Sequence, residues 1–290
     1  MRIGSMKRKV EISKAELSLT PPEPPGNYDL LKRVVENYDR LVIERRAIEL
    51  RVLPLEHGSL GGNFNSPQRV IPHHLFSEMM ELSYPHFRSF IEGSFPEYCT
   101  FPDEDKTRIL NGFIMRLLHM ESARRLISST VLHPHAPVGV TGYFDPSCWE
   151  KHFTNDFDGD VKKDIVHAFI ANSIFPQLVA LRSTLRRLEV SETEWAALLS
   201  LLLWTPATNN ISSLTDEAGA RMREGVFTNL GYYYRRLLGQ EHYAGRIGEL
   251  TAFIDSVQES MSHKYEDLTI FTIFNIIDRD SFLWKVLQMR

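Results

Sequence analysis

The sequence predicts an all-α domain, and three observations carry that reading. Apolar residues recur at spacings of three and four along most of the chain. Two runs, 107–120 and 195–204, are apolar around nearly the whole helical circumference and must therefore be buried on all sides. Only one segment, 133–149, has the glycine, proline and β-branched or aromatic composition of a small β-hairpin.

The elements follow in order. Residues 1–27 are set aside. Gly4-Ser5 before Met6 reads as an expression scar, and the polar stretch ending in Thr20-Pro-Pro-Glu-Pro-Pro-Gly26 reads as a hinge, because its prolines cannot continue a helix. A single domain is expected over 28–290. It opens with a long amphipathic helix carrying Leu30, Leu31, Val34, Val35, Tyr38, Leu41, Val42 and Ile48 on one face. Residues 54–72, punctuated by Gly58, Gly61, Gly62, Pro67 and Pro72, read as a loop. A helix from about Leu75 to Ser94 should be disturbed at Pro85. After Pro102 the acidic Asp103-Glu104-Asp105 suits a helix N-terminus, and Ile109, Leu110, Phe113, Ile114, Leu117 and Leu118 continue it. Further helices are expected at about 161–188, 192–204, 215–238, 242–274 and 280–288, with starts signalled by Ser191 before Glu192 and Glu194 and by Thr215 before Asp216 and Glu217.

Composition narrows the function classes. A net charge of -4 gives no electrostatic reason to place this part of the chain on nucleic acid. The two cysteines, Cys99 and Cys148, are too few for a disulfide framework or a Cys-rich zinc module. No apolar run reaches membrane-spanning length. Asp156-Phe-Asp158-Gly-Asp160 is similar to a calcium loop, but its glycine comes early and His167 stands at the twelfth position where a Glu is required. His73, His74, His133 and His135 lack metal-ligand spacing. No phosphate loop, nucleophile elbow or Cys-His signature supports an enzyme.

Four blocks, in order, carry a resemblance. Phe95-Pro96-Glu97-Tyr98-Cys99-Thr100-Phe101-Pro102-Asp103-Glu104-Asp105-Lys106 resembles the signature of nuclear receptor ligand-binding domains, with Lys106 where Gln is usual. Glu194-Trp195 through Thr205-Pro206 resembles that family's eighth helix, and Gly245-Arg-Ile-Gly-Glu-Leu250 the entry to its dimerisation helix. Asp280-Ser-Phe-Leu-Trp-Lys-Val-Leu287 resembles its C-terminal activation helix. The branch with hepatocyte nuclear factor four and the retinoid X receptors is the best likeness, and Arg45-Arg46 with Glu49 is similar to its nematode members.

The resemblance implies a three-layer antiparallel helical sandwich with a small β-hairpin and an internal apolar pocket. It places Arg125 where relatives bind a ligand carboxylate, a task that suits a planar, permanently charged guanidinium. Arg124 adjoins it and Glu121 stands one turn back as a salt-bridge alternative. The same register puts Tyr84, Ile114, Leu118 and Ser122 near the pocket, and Glu81 inward where it would neutralise Arg125. The residues that would grip a coactivator helix fall on Gly93, Asn111 and Lys285, so both charges of that clamp are missing and one is reversed; Phe282, Leu283, Val286 and Leu287 keep the apolar face. Leu250, Phe253, Ile254 and Val257 are the expected dimer contacts.

The implied partners are a small lipophilic, fatty-acid-like ligand, a second receptor as homodimer or heterodimer, and coregulator proteins. DNA and zinc would belong to a domain not in this chain, no membrane is involved, and the place of action is the nucleus. Lys7-Arg8-Lys9 adds a short basic run in the tail. Two other readings remain: a protein-interaction module of the same fold with its pocket filled by side chains, and a soluble helical lipid carrier or enzyme sharing only the helical pattern.

Overall fold

The computed structural model describes residues 28–53, 69–128, 136–144, 168, 172–173, 175–205, 211–273 and 281–288. Eight α-helices are formed among them: α1 (Asp29–Val52), α2 (His73–Ser94), α3 (Asp103–Ser128), α4 (Phe175–Leu188), α5 (Glu192–Trp204), α6 (Ser213–Tyr232), α7 (Ala244–Ile273) and α8 (Phe282–Gln288). Short strands β1 (Arg69–Val70), β2 (Ala136–Val138) and β3 (Gly142–Phe144) form one sheet in the order β1-β3-β2. The hairpin is β2 and β3, antiparallel, while β1 joins β3 in parallel. A two-residue strand is too short to leave a periodic trace, so 54–72 read as loop throughout.

The two apolar runs become the middle layer. Every residue of 110–121 in α3 and of 193–204 in α5 is buried. α1 and α2 pack together on one side, and α4 and α7 on the other, giving the three-layer helical sandwich. α5 starts on a capping box: the Ser191 hydroxyl accepts from the Glu194 amide while the Glu194 carboxylate accepts from the Ser191 amide. Two amides at the start of the helix are thereby satisfied. The two longest matching blocks meet in space, with Phe95 and Phe101 set edge-on to Trp204 at ring distances of 5.2 and 6.0 Å. Buried Asp105 accepts from the Ser212 and Thr215 hydroxyls, fixing the start of α6 to the start of α3.

α2 runs straight through Pro85, contrary to the disturbance expected there. The carbonyl that loses its bond is Glu81's, and both residues are exposed, so solvent can satisfy it and the helix continues. α6 passes into a π-helical turn, Tyr233–Leu237, which ends before Gly239 at φ +64. The segment 1–27, the calcium-like stretch 156–160, Cys148, His133, His135 and most of 161–174 lie outside the described residues. No described helix is long and apolar enough to cross a membrane.

Candidate functional site

At one end of the core, charges of both signs lock the hairpin turn. Glu49 of α1 is 2% exposed, and its carboxylate accepts from the amides of Val140, Thr141 and Gly142 at 2.6, 2.8 and 2.8 Å and from the Thr141 hydroxyl at 2.7 Å. On the opposite side of the turn, the Arg125 guanidinium donates to the carbonyls of Val138, Gly139 and Gly142 at 3.3, 2.7 and 3.0 Å. The turn therefore has its donors on a carboxylate and its acceptors on a guanidinium. Gly139 sits at φ +65 with Glu49 where a Cβ would come 3.1 Å from Oε2, so conformation and space both require glycine.

Glu121 does not take the salt-bridge role beside Arg125. It pairs with Arg45 of α1 through two contacts of 2.9 Å and accepts from the Tyr38 hydroxyl at 2.8 Å. Burial lowers the Arg125 pKa, and Glu49 and Glu121 oppose that. Arg45, Glu49, Glu121 and Arg125 thus form a group of two cations and two anions. Arg124 lies instead over the Trp195 ring at 4.2 Å.

The other expected pocket residues divide. Ile114 and Leu118 are buried in the core. The Ser122 hydroxyl lies 2.8 Å from the Leu118 carbonyl and 2.7 Å from that of Pro137, tying α3 to β2. Tyr84 faces α8: its ring packs edge-on against Phe282 at 5.3 Å and its hydroxyl donates to Asn111 at 2.9 Å. Glu81 is exposed, so the inward orientation that would neutralise Arg125 is not adopted.

The clamp positions are equally distinct. Val286 is buried beneath α8, Lys285 is exposed, and Asn111 is buried with its oxygen held by Tyr84. A Cβ at Gly93 would come 2.8 Å from the Asn37 amide oxygen of α1, so a larger residue there requires the Asn37 side chain to swing aside. The side chains of Leu283 and Leu287 lie outside the described residues.

On α7 the structure corrects the dimer expectation. Leu250, Phe253, Ile254 and Val257 are at most 2% exposed and belong to this chain's own core, so they are not free to meet a partner. The apolar stripe packs inward. The exposed face instead carries Gly248, Ala252, Asp255, Ser256 and Glu259. At the start of α7, Arg246 donates to Glu194 at 2.7 and 3.0 Å, and the Tyr234 hydroxyl donates to the same carboxylate at 2.6 Å. Burial pushes the Glu194 pKa up, but the bonds from Arg246, Tyr234 and the Ser191 amide prevail and hold it at about 2.

Farther along α7 lies a group of polar residues that sequence reasoning missed. His119 of α3, 2% exposed, lies with Nε2 2.6 Å from Ser260 Oγ of α7. Ser260 donates onward to Gln177 Oε1 of α4 at 2.9 Å. The serine proton is spent on Gln177, so His119 Nε2 is the donor to Ser260. One turn earlier on α3, Arg116 is 3% exposed and donates to the carbonyls of Gly112 and Thr205 at 2.9 and 2.8 Å. One turn after Ser260 stands half-buried Lys264, close enough to depress the His119 pKa, a shift in which burial is the larger cause. Burial pushes Arg116 down to about 10 and Lys264 down to about 8. Among the described residues, neither has a carboxylate within ion-pairing distance. The available signal was polarity within an apolar run, since Arg116 and His119 interrupt the central helix.

Comparison with known proteins agrees with this geometry. The family model describing the ligand-binding domain of nuclear hormone receptor matches residues 63–274. The chain is similar to nuclear hormone receptor family member nhr-43 of Caenorhabditis elegans, 22% identical over 89% of this chain and 57% of that protein. Family member nhr-12 of the same organism is 24% identical over 64% of this chain and 41% of its own length. The chain therefore spans about half the length of these curated relatives.

Proposed function

The chain belongs to the family of nuclear hormone receptor ligand-binding domains, and on that premise we propose that it is the sensing part of a nuclear transcription factor. Its ligand in this reading is small and lipophilic, of the fatty-acid type. The observation that supports it is the family match, laid over a sandwich whose middle layer, α3 and α5, is buried along its length. An apolar interior with a few placed polar groups is the environment in which a lipid tail is held and oriented. Ile114 and Leu118 of α3 supply apolar wall, and Ser122 with Arg125 marks the hairpin end. A zinc module for DNA needs more thiolates than the two cysteines of this chain, so DNA contact belongs to another part of the receptor.

Two partner surfaces complete the proposal. Dimerisation uses the exposed face of α7, where Gly248, Ala252 and Ser256 allow close approach and Asp255 and Glu259 select the partner by charge. Coregulator peptides bind weakly beside α8, because Gly93 and Asn111 carry no charge and Lys285 presents the wrong sign for the clamp. Organic extraction of the purified protein followed by mass spectrometry tests the ligand reading. A captured lipid, or a melting temperature raised by added lipids, is the expected result. A clean extract together with no shift by any acidic or neutral lipid would instead mark a protein-interaction module.

A further inference from the structure

His119 of α3 meets α7 at Ser260, one turn before Lys264, and α4 closes the third side of this seam through Gln177; Arg116, one turn earlier on α3, reaches the Thr205 carbonyl at the end of α5. Among the described residues no carboxylate lies within ion-pairing distance of Lys264 or Arg116, and the acid sharing a pocket with Arg116, Asp216, is exposed. A cation held away from water without a counter-charge is costly. Arg116 meets that cost in part with two carbonyl bonds. Lys264 has no such bond, and it alone of the three is half-buried and so within reach of an incoming group. His119 is held as a neutral donor to Ser260, so it adds polarity without a second charge to satisfy. Among the described residues, Lys264 is therefore left without a counter-charge.

We infer that Lys264 is the anchor for the carboxylate of an acid-headed lipophilic ligand, which lies along the α3–α7 seam with Arg116 and the His119–Ser260–Gln177 chain shaping the polar end. This rests on the proposed sensing of a lipophilic molecule and moves its acid from the hairpin end to the face of α3 that meets α7. At the hairpin end, Arg125 already serves three carbonyls and sits in a group whose charges balance, so an added carboxylate there would create an excess of negative charge. At the seam the same carboxylate neutralises an existing excess of positive charge. A monoanionic head suits one reachable ammonium.

The test uses oleic acid and oleyl alcohol, which share a tail and differ at the head, titrated calorimetrically into the purified chain at neutral pH. Oleate should bind at least about tenfold tighter than the alcohol, the scale of one charge-assisted contact. Lys264→Met should lose at least about tenfold in oleate affinity with the alcohol unchanged, and Lys264→Arg should recover most of the loss. Equal affinity of oleate for the wild type and Lys264→Met overturns the assignment. So does equal binding of acid and alcohol by the wild type, which leaves lipid sensing standing. Binding of neither probe, with a lipid-free extract, removes both readings.

Discussion

The hairpin end and the α3–α7 seam both bury charge, but they resolve it in opposite ways. At the hairpin, Arg45, Glu49, Glu121 and Arg125 are matched two against two, and the turn's backbone groups occupy much of their hydrogen-bonding capacity. At the seam, Arg116 and Lys264 are two cations with no carboxylate within ion-pairing distance among the described residues. The first arrangement is complete within the protein and holds it together. The second has no counter-charge among the described residues, and in the proposed reading the ligand's carboxylate supplies it. A buried arginine in a receptor-like fold is therefore not a ligand anchor by position alone; what decides is whether its charge is already answered.

The largest expected effect breaks the matched group. Glu49→Ala strips the acceptor from the amides of Val140, Thr141 and Gly142 and leaves Arg125 without its nearest counter-charge. Urea denaturation should show a loss of about 3–5 kcal/mol, as for other buried pairs broken on one side. A loss below about 1 kcal/mol would mean the hairpin clamp is not what holds this end.

A second matched pair sharpens the point. Glu194 is held at about 2 once the Arg246, Tyr234 and Ser191 bonds outweigh burial. A carboxyl with a depressed folded-state pKa stabilises the fold above its unfolded value and loses that contribution as pH falls through the folded value. The window is therefore from about 4.5 down to about 2, and the contribution is about 2–3 kcal/mol. Glu194→Gln should remove that part of the acid transition in denaturation curves taken across this range. An unchanged transition would count against the pair.

The unmatched cations carry the opposite sign. Lys264→Met should leave the ligand-free protein as stable as the wild type or more stable by about 1–3 kcal/mol, because an unanswered ammonium is replaced by an apolar chain of similar length. For the wild type, a lysine depressed to about 8 destabilises at neutral pH, and that penalty is lifted as pH rises through 8 toward 10.5. Thermal melts of both proteins across that range would show the difference closing. A Lys264→Met variant as damaged as Glu49→Ala would erase the contrast between the two regions.

The smallest effect concerns association. Ala252→Arg, on the exposed face of α7, should weaken dimerisation in sedimentation without shifting the melting temperature by more than a degree or two, since surface changes cost about 0.5 kcal/mol. Leu250→Arg is the wrong probe, because that side chain is fully buried in its own core. Two proteins with unchanged sedimentation would place the dimer contact elsewhere.

The helical sandwich was legible because its cause is local. The run at 107–120, the Ser191–Glu194 box and the acidic start at Asp103 each announce a helix within a few residues. What failed was whatever depends on partners far along the chain. Helical period marked Leu250, Phe253, Ile254 and Val257 as one face, but the same period serves packing inside a chain and between chains, and here it serves the former. Glu49 finds the 140–142 turn more than 90 residues away, and His119 finds Ser260 141 residues away. No spacing rule reaches that far. Arg125 stood at the expected position on α3, yet the carbonyls it serves became visible only when the hairpin was placed beside it.

Proton uptake on binding distinguishes a lysine-anchored acid from an acid held elsewhere. With Lys264 at about 8 in the free protein, a carboxylate beside it should raise that pKa, so oleate bound at pH 8 should draw up to about half a proton from solution. Calorimetry in buffers of different ionisation enthalpy reads this number. The account predicts uptake in the wild type and in Arg125→Met, and none in Lys264→Met. Uptake that persists in Lys264→Met, or is absent from the wild type, would contradict it.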